Sequence, residues 1–325
     1  PIERSTGRLV ISISMIADPG IASHVILVRP TGFGHDPETA ESNSFQKEMD
    51  DPEIQSNAAT EFDGLLEALR QAGVGFTVLD PMDRSAPNAV FPNNWFSTHD
   101  DGAVVLYPMY TASRRSERDP DMARTLEREG FLTTRTVDIS AWEHEGRVLE
   151  GTGSLVLDRA NKIAYACLSD RTSEQAVKDW CDQFNYTPIT FTATFDGSFH
   201  GAAIYHTNVV MSIGSSCAVV CFDSMPFPAE RQEVKEELEK SGKVVIPISV
   251  EQMHNFVGNM LELRAVKGNT HFIFLSETAF LALVPEQRLK LQEHAQLVPV
   301  PIPTIETVGG GSLRCMLAEN FLTKK

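Results

Sequence analysis

Residues 172–192 read TSEQAVKDWCDQFNYTPITFT and hold one whole unit of local structure. Thr172 and Gln175 have capping-box spacing, which predicts a helix that starts there and ends before Asn185. The run Tyr186 to Thr192 is short and rich in β-branched and aromatic residues, which predicts a strand.

The same helix-then-strand pattern recurs along the chain. Amphipathic helices are predicted from about Asn57 to Ala72, from Asp119-Pro120 to Gly130, from Pro228 to Lys240 and from Pro285 to Glu293. Strand-like runs follow them at Val74 to Leu79, Leu132 to Ile139, Lys243 to Ile248 and Gln296 to Pro301. Further strands precede the next helix, at Ala103 to Tyr107, Lys162 to Cys167, Val209 to Ile213 and His271 to Phe274. The helices repeat roughly every 56 residues, so the chain divides into about five strand-and-helix units. Alternation alone suits any α/β protein. A shared phase of chemically active residues is more telling, and Asn94, Glu150, His206, Glu262 and Cys315 recur at one position of the repeat. Units arranged radially bring such positions together on the axis. The expected fold is therefore a five-bladed, pseudo-fivefold α/β propeller with a central site. No glycine-rich dinucleotide loop follows a strand to favour an open doubly wound sheet.

The 325 residues include 44 Asp+Glu against 28 Lys+Arg, a formal net charge of −16. That balance repels polyanions and argues against nucleic-acid or membrane-surface partners. No apolar stretch reaches the length of a membrane span. Five dispersed cysteines without CxxC or Cys/His ligand spacing argue against a disulfide framework or metal site, and point to a reduced, cytoplasmic compartment. Residues 1–15 are read as an N-terminal extension without secretory-signal character, and 16–325 as a single catalytic domain. Oligomeric state is not encoded legibly.

Cys315 follows Gly309-Gly310-Gly311-Ser312-Leu313-Arg314, where glycines permit close approach to a ligand and Arg314 or backbone amides could stabilise a thiolate. The plainer reading is a turn into a buried cysteine. His206 opens Tyr205-His206-Thr207-Asn208 and suits proton transfer near neutral pH. Asn208, two residues on, is expected to face the same way along an extended strand. Glu150 begins Glu150-Gly151-Thr152-Gly153. A thiol, an imidazole and a carboxylate are the parts of an activated nucleophile.

These motifs, together with Phe91-Pro92-Asn93-Asn94-Trp95-Phe96-Ser97 and Asn259-Met260-Leu261-Glu262-Leu263, resemble those of the guanidino-group-modifying, or pentein, superfamily. The resemblance runs from about Val28 to Leu322 and looks most like citrulline ureidase-like proteins. It implies the five-bladed fold, with Cys315 as nucleophile, His206 as acid/base and Glu150 as the orienting carboxylate, and it requires neither a metal nor an organic cofactor. Dimethylarginine hydrolases carry aspartates at the positions of Asn88 and Asn94, and arginine deiminases one at Asn208. Asparagine offers neutral donors and acceptors in place of a charge-assisted partner for guanidinium. A small ureido substrate is therefore expected, with citrulline giving ornithine, ammonia and carbon dioxide. Arginine deiminase-like or dimethylarginine hydrolase-like activity is the alternative. A non-catalytic pentein-fold binding protein is the alternative of another class. Asn88, Asn94, Asn208 and Glu262 are expected to contact substrate. Arg314, Arg171 and Arg115 are candidates for a carboxylate, although Arg114 to Arg118 also reads as a solvated helix start.

Overall fold

The computed structural model describes residues 20–325, so the expected extension over residues 1–15 lies outside the described residues. The five predicted helices form at Ile54–Gln71, Met122–Arg128, Glu174–Phe184, Pro228–Lys240 and Pro285–Gln292. Three starts differ from expectation, the first helix opening at Ile54, three residues before Asn57. Ser173, not Thr172, caps the third helix by accepting from the Ala176 amide, while the Thr172 hydroxyl donates to Ser154. Asp119 binds the Asp121 amide and the Thr125 hydroxyl, so Asp119-Pro120 makes a turn and the helix begins two residues later. Asn185 ends the third helix in the left-handed region, a conformation that asparagine tolerates.

Each helix crosses between two parallel strands, and a third, antiparallel strand completes each of five three-stranded sheets. The central strands are His24–Val28, Ala103–Leu106, Ile163–Cys167, Cys217–Val220 and His271–Ser276. Their parallel partners are Gly75–Leu79, Arg135–Asp138, Thr187–Phe191, Val244–Pro247 and Gln296–Val300. The antiparallel strands are Ala318–Glu319, Phe96–Thr98, Val156–Asp158, Met211–Ile213 and Leu261–Arg264, in the same sheet order. The end of the chain thus completes the first sheet, with Val25 opposite Glu319 and Ile26 opposite Ala318.

Central strands are buried between a helix and the interior, which explains their nearly uninterrupted apolar sequences, such as Ala103 to Leu106. In the first helix Phe62, Leu65, Leu66 and Leu69 are buried, each contributing roughly 1.5–3 kcal/mol by leaving water. The antiparallel strands of successive units touch: Met211–Ile213 contacts both Val156–Asp158 and Leu261–Arg264, and Ala318–Glu319 contacts Phe96–Thr98. A short helical turn precedes most of these inner strands, at Pro92–Asn94, Gly151–Ser154, Thr207–Val210 and Leu313–Met316. These turns carry the candidate site. The expected extended segment after His206 is one of them, so Asn208 is not its strand-phase neighbour.

Two histidines outside the site make the fold sensitive to acid. Burial, with Lys324 nearby, lowers His24 to about 4, and burial with three surrounding cations lowers His99 well below its ordinary value. His99 lies stacked 4.7 Å from the Phe184 ring and 3.0 Å from the Ser97 hydroxyl. As pH falls through about 6.5, the unfolded chain takes up these protons before the folded one does. Stability is therefore fully present above about 6.5 and declines towards pH 4, by up to about 1.4 kcal/mol per pH unit for each histidine. Thermal unfolding across that range is expected to show the decline, and His99→Gln to flatten it.

Candidate active site

Glu150 caps the turn Gly151–Ser154, and its amide donates to the Ser154 hydroxyl at 2.9 Å. The carboxylate is fully buried. Its Oε1 accepts from the Tyr110 amide at 2.9 Å, and its Oε2 meets His206 Nε2 at 2.8 Å with Arg171 Nη1 at 3.7 Å. Burial alone would raise Glu150, but Arg171, His206 and Arg114 outweigh it and hold the carboxyl at about 2. Burial lowers His206, and Glu150 opposes that only in part. The pair is thus a carboxylate bonded to a neutral imidazole. With Nε2–H given to Glu150, Nδ1 is the nitrogen left to accept a proton.

Gly151 and Gly153 have steric reasons. Gly151 has φ +48°, and a Cβ there would lie 2.4 Å from the Asn93 carbonyl oxygen. A Cβ on Gly153 would lie 2.4 Å from Asn94 Nδ2 and 2.9 Å from His206 Nδ1. Gly153→Ala is therefore expected to displace one of these side chains and to cut turnover on the order of 100-fold while the protein still folds, as checked by kcat alongside Tm.

Cys315 lies in the turn Leu313–Met316, with its amide bonded to the Ser312 carbonyl. Two side-chain amides address the sulfur: Asn208 Nδ2 at 3.5 Å and Asn259 Nδ2 at 3.4 Å. Asn259 cannot turn freely, because its Oδ1 accepts from the Arg314 amide and its Nδ2 also donates to the Asn208 carbonyl. The Arg314 guanidinium makes its hydrogen bonds away from the sulfur. It points to the Leu317 carbonyl at 2.9 Å and to Glu319 at 3.0 Å.

Cys315, His206, Asn88, Asn94 and Arg171 line one cavity. It is also lined by Arg114, which is buried and paired with Glu117, whereas the sequence reads Arg114 to Arg118 as a solvated helix start. Burial alone would lower Arg114, but Glu117, Glu150 and Asp36 outweigh it and keep the guanidinium protonated. Burial pushes Glu117 up, and Arg114 opposes that; the three close contacts between them favour the ion pair.

One wall comes from the segment around residues 36–47, which precedes the first helix and carries no repeat signal. Gln46 donates to the Gly309 carbonyl, Asn43 to the Gly310 carbonyl, and Arg171 to the Thr39 carbonyl and Ser42 hydroxyl. Tyr205 also donates to the Gly310 carbonyl, at 2.8 Å.

Four expected substrate contacts do not line the cavity; one is Asn208, whose side chain is turned to the Cys315 sulfur. Glu262 is inside the strand Leu261–Arg264 and binds Ser215 and His271. Asn259, just before that strand, occupies the place that phase counting assigned to Glu262; loop lengths shift the count by three residues. Arg115 bonds the Met109 and Tyr110 carbonyls, 3.5 Å from Glu143, and does not line the cavity. Arg314 is turned away as described. Among the described residues, no group of three or more His, Cys, Asp or Glu could hold a metal ion, and no helix is long and apolar enough to cross a membrane.

The sequence profile of the eukaryotic N,N dimethylarginine dimethylhydrolase family matches residues 29–322. The chain belongs to this family. It is thereby a member of the guanidino-group-modifying pentein superfamily, and the five sheets are those of the pentein fold. A search of curated proteins returned no significant match. Among solved structures, ArgZ, an arginine dihydrolase from the ornithine–ammonia cycle in cyanobacteria, superposes with a TM-score of 0.70 at 14% identity over 91% of this chain. The chain spans only 40% of the length of ArgZ, but 97% of its isolated N-terminal domain, solved bound to substrate, with a TM-score of 0.68 at 13% identity. A dimethylarginine dimethylaminohydrolase adduct with 4-chloro-2-hydroxymethylpyridine superposes with a TM-score of 0.61 at 14% identity, covering 92% of this chain and all of that one.

Proposed function

We propose that this family member is a cysteine hydrolase acting at the central carbon of a guanidino or ureido group, and that citrulline is its substrate. The observation that carries the reading is the convergence of Cys315 and the bonded His206–Glu150 pair on one cavity walled by neutral asparagines. The described chain is read as one catalytic unit.

In this mechanism His206 Nδ1 takes the thiol proton, and the imidazolium is balanced by Glu150 through Nε2. The Cys315 thiolate, held by the Asn208 and Asn259 amides, attacks the ureido carbon. His206 returns its proton to the departing nitrogen, so ammonia leaves and the sulfur carries a thiocarbamate. Water, deprotonated by His206, then attacks the same carbon and expels the thiolate. The resulting carbamate loses carbon dioxide and leaves the amine, ornithine when citrulline is the substrate. The protein's role is to fix donors and charges where charge develops.

The family match favours a second reading, in which a guanidino carbon is attacked, ammonia or a methylated amine leaves and citrulline is the product. Incubation with citrulline, arginine and dimethylarginine separates the two by product: ornithine with ammonia in the first case, citrulline in the second. Binding without turnover of any of these would favour the non-catalytic alternative.

A further inference from the structure

We infer that Arg114 is a positioning residue that decides which end of the Asn94 amide faces the substrate, and so sets the preference for a ureido over a guanidinium group. The inference rests on the proposed function and names what makes the site selective.

An asparagine side chain can present either its oxygen or its nitrogen, and rotation exchanges a donor for an acceptor. Arg114 removes that freedom. Its Nη1 donates to Asn94 Oδ1 at 2.6 Å, and a guanidinium has no acceptor with which to hold the opposite end. Arg114 is itself immobilised: Nε and Nη2 hold Glu117 at 2.7–3.2 Å, Nη2 also reaches the Phe91 carbonyl, and the two charged side chains are 3% and 1% exposed. Asn94 Nδ2 consequently points the other way, towards Gly153 and the His206 ring, where it is buried without a hydrogen-bond partner among the described residues.

Two other asparagines are fixed in the opposite sense. Asn88 gives its nitrogen to Asp36 and Thr39, and Asn208 gives its nitrogen to the Cys315 sulfur. Both leave a buried oxygen without a partner. Of the three, Asn94 and Asn88 line the cavity, and their orphan atoms are one donor and one acceptor. A ureido group carries one carbonyl acceptor and N–H donors, which is the complementary set. A guanidinium carries donors only, so one of its N–H groups would meet Asn94 Nδ2 head-on beside the positive charge of Arg114. A mispaired buried donor of this kind corresponds to discrimination of about tenfold to a hundredfold.

The test measures affinity for citrulline and arginine by calorimetry in a Cys315→Ala background, and kcat/KM for both with Cys315 intact. Citrulline is expected to be preferred. Asn94→Asp keeps a partner for Arg114 but replaces the inward donor with an acceptor, and should shift the preference towards arginine at least tenfold. Arg114→Gln with Glu117→Gln frees the amide and should bring the ratio towards unity, whereas Arg114→Lys, which still donates, should retain most of it. Thermal melts identify any variant that does not fold, and Asn94→Asp remains decisive if the double variant fails. A ratio unchanged by Asn94→Asp, or by the folded double variant, overturns the proposal. If binding ratios follow the substitutions but no substrate is turned over, the hydrolase reading falls and the positioning role survives. Turnover with an insensitive ratio does the reverse. Absence of binding by either ligand overturns both.

Discussion

Cys315→Ala is expected to reduce turnover of every ureido or guanidino substrate by on the order of 10⁴-fold or more while leaving the fold intact. Removal of a nucleophile eliminates the covalent route, and the remaining groups act only as a unit with it. The structural change is small, because alanine leaves the turn Leu313–Met316 and its Ser312 bond in place and removes a single sulfur. The Asn208 amide loses its hydrogen-bond partner, whereas the Asn259 side chain stays bonded to the Asn208 carbonyl and the Arg314 amide. Steady-state assays beside thermal melts check this. Turnover surviving the substitution would exclude a thiolate mechanism.

Glu150→Gln is expected to have the second-largest effect, through both chemistry and stability. The carboxylate lies 3.7 Å from Arg171 and 2.8 Å from His206, and in the proposed mechanism it is the counter-charge for the imidazolium formed during proton transfer. A neutral amide still fits, but it can hold the wrong imidazole tautomer and cannot balance the cation, which implies a loss in kcat of about 10²–10⁴-fold. Two buried guanidiniums would also keep less compensation, at about 3 kcal/mol of stability. The pH profile supplies a signature. Burial lowers His206 and Glu150 partly opposes it, so the acid limb of kcat/KM should lie below 6.5 in the native enzyme and move lower still in Glu150→Gln. An acid limb unmoved by the substitution would mean that His206 is not the titrating group. Glu150 itself affects the acid stability of the fold. Its folded value of about 2 is below the unfolded value of 4.5, so its contribution is fully present above about 4.5 and is lost as pH falls towards 2.

Much of this was legible before any coordinates. Helix burial repeats every three to four residues, so Phe62, Leu65, Leu66 and Leu69 announced their shared face, and Pro228 and Gly242 bracketed their helix closely. Strand endings were less legible, because hydrogen-bond register rather than composition ends a ladder; Leu132 to Ile139 reads as strand but only Arg135–Asp138 pairs. Phase counting found Glu150, His206 and Cys315 because each lies in or caps the turn before an inner strand, and it missed Asn259 because a three-residue difference in loop length carries no sequence mark. Arg114 and Arg115 are adjacent and chemically identical. Their different fates depend on which one meets Glu117 and Asn94 in the folded chain.

The sequence by itself determined the five-unit α/β architecture and the thiol, imidazole and carboxylate of the site, since periodicity and residue type are local properties. Tertiary structure alone decided the orientation of the three asparagine amides, the burial of Arg114 in the cavity lining, and the departure of Glu262, Arg115 and Arg314 from the cavity. A hydrogen bond's direction and a charge's environment depend on neighbours twenty or more residues away along the chain: Asp36 for Asn88, Arg114 for Asn94, and Arg171 for Glu150.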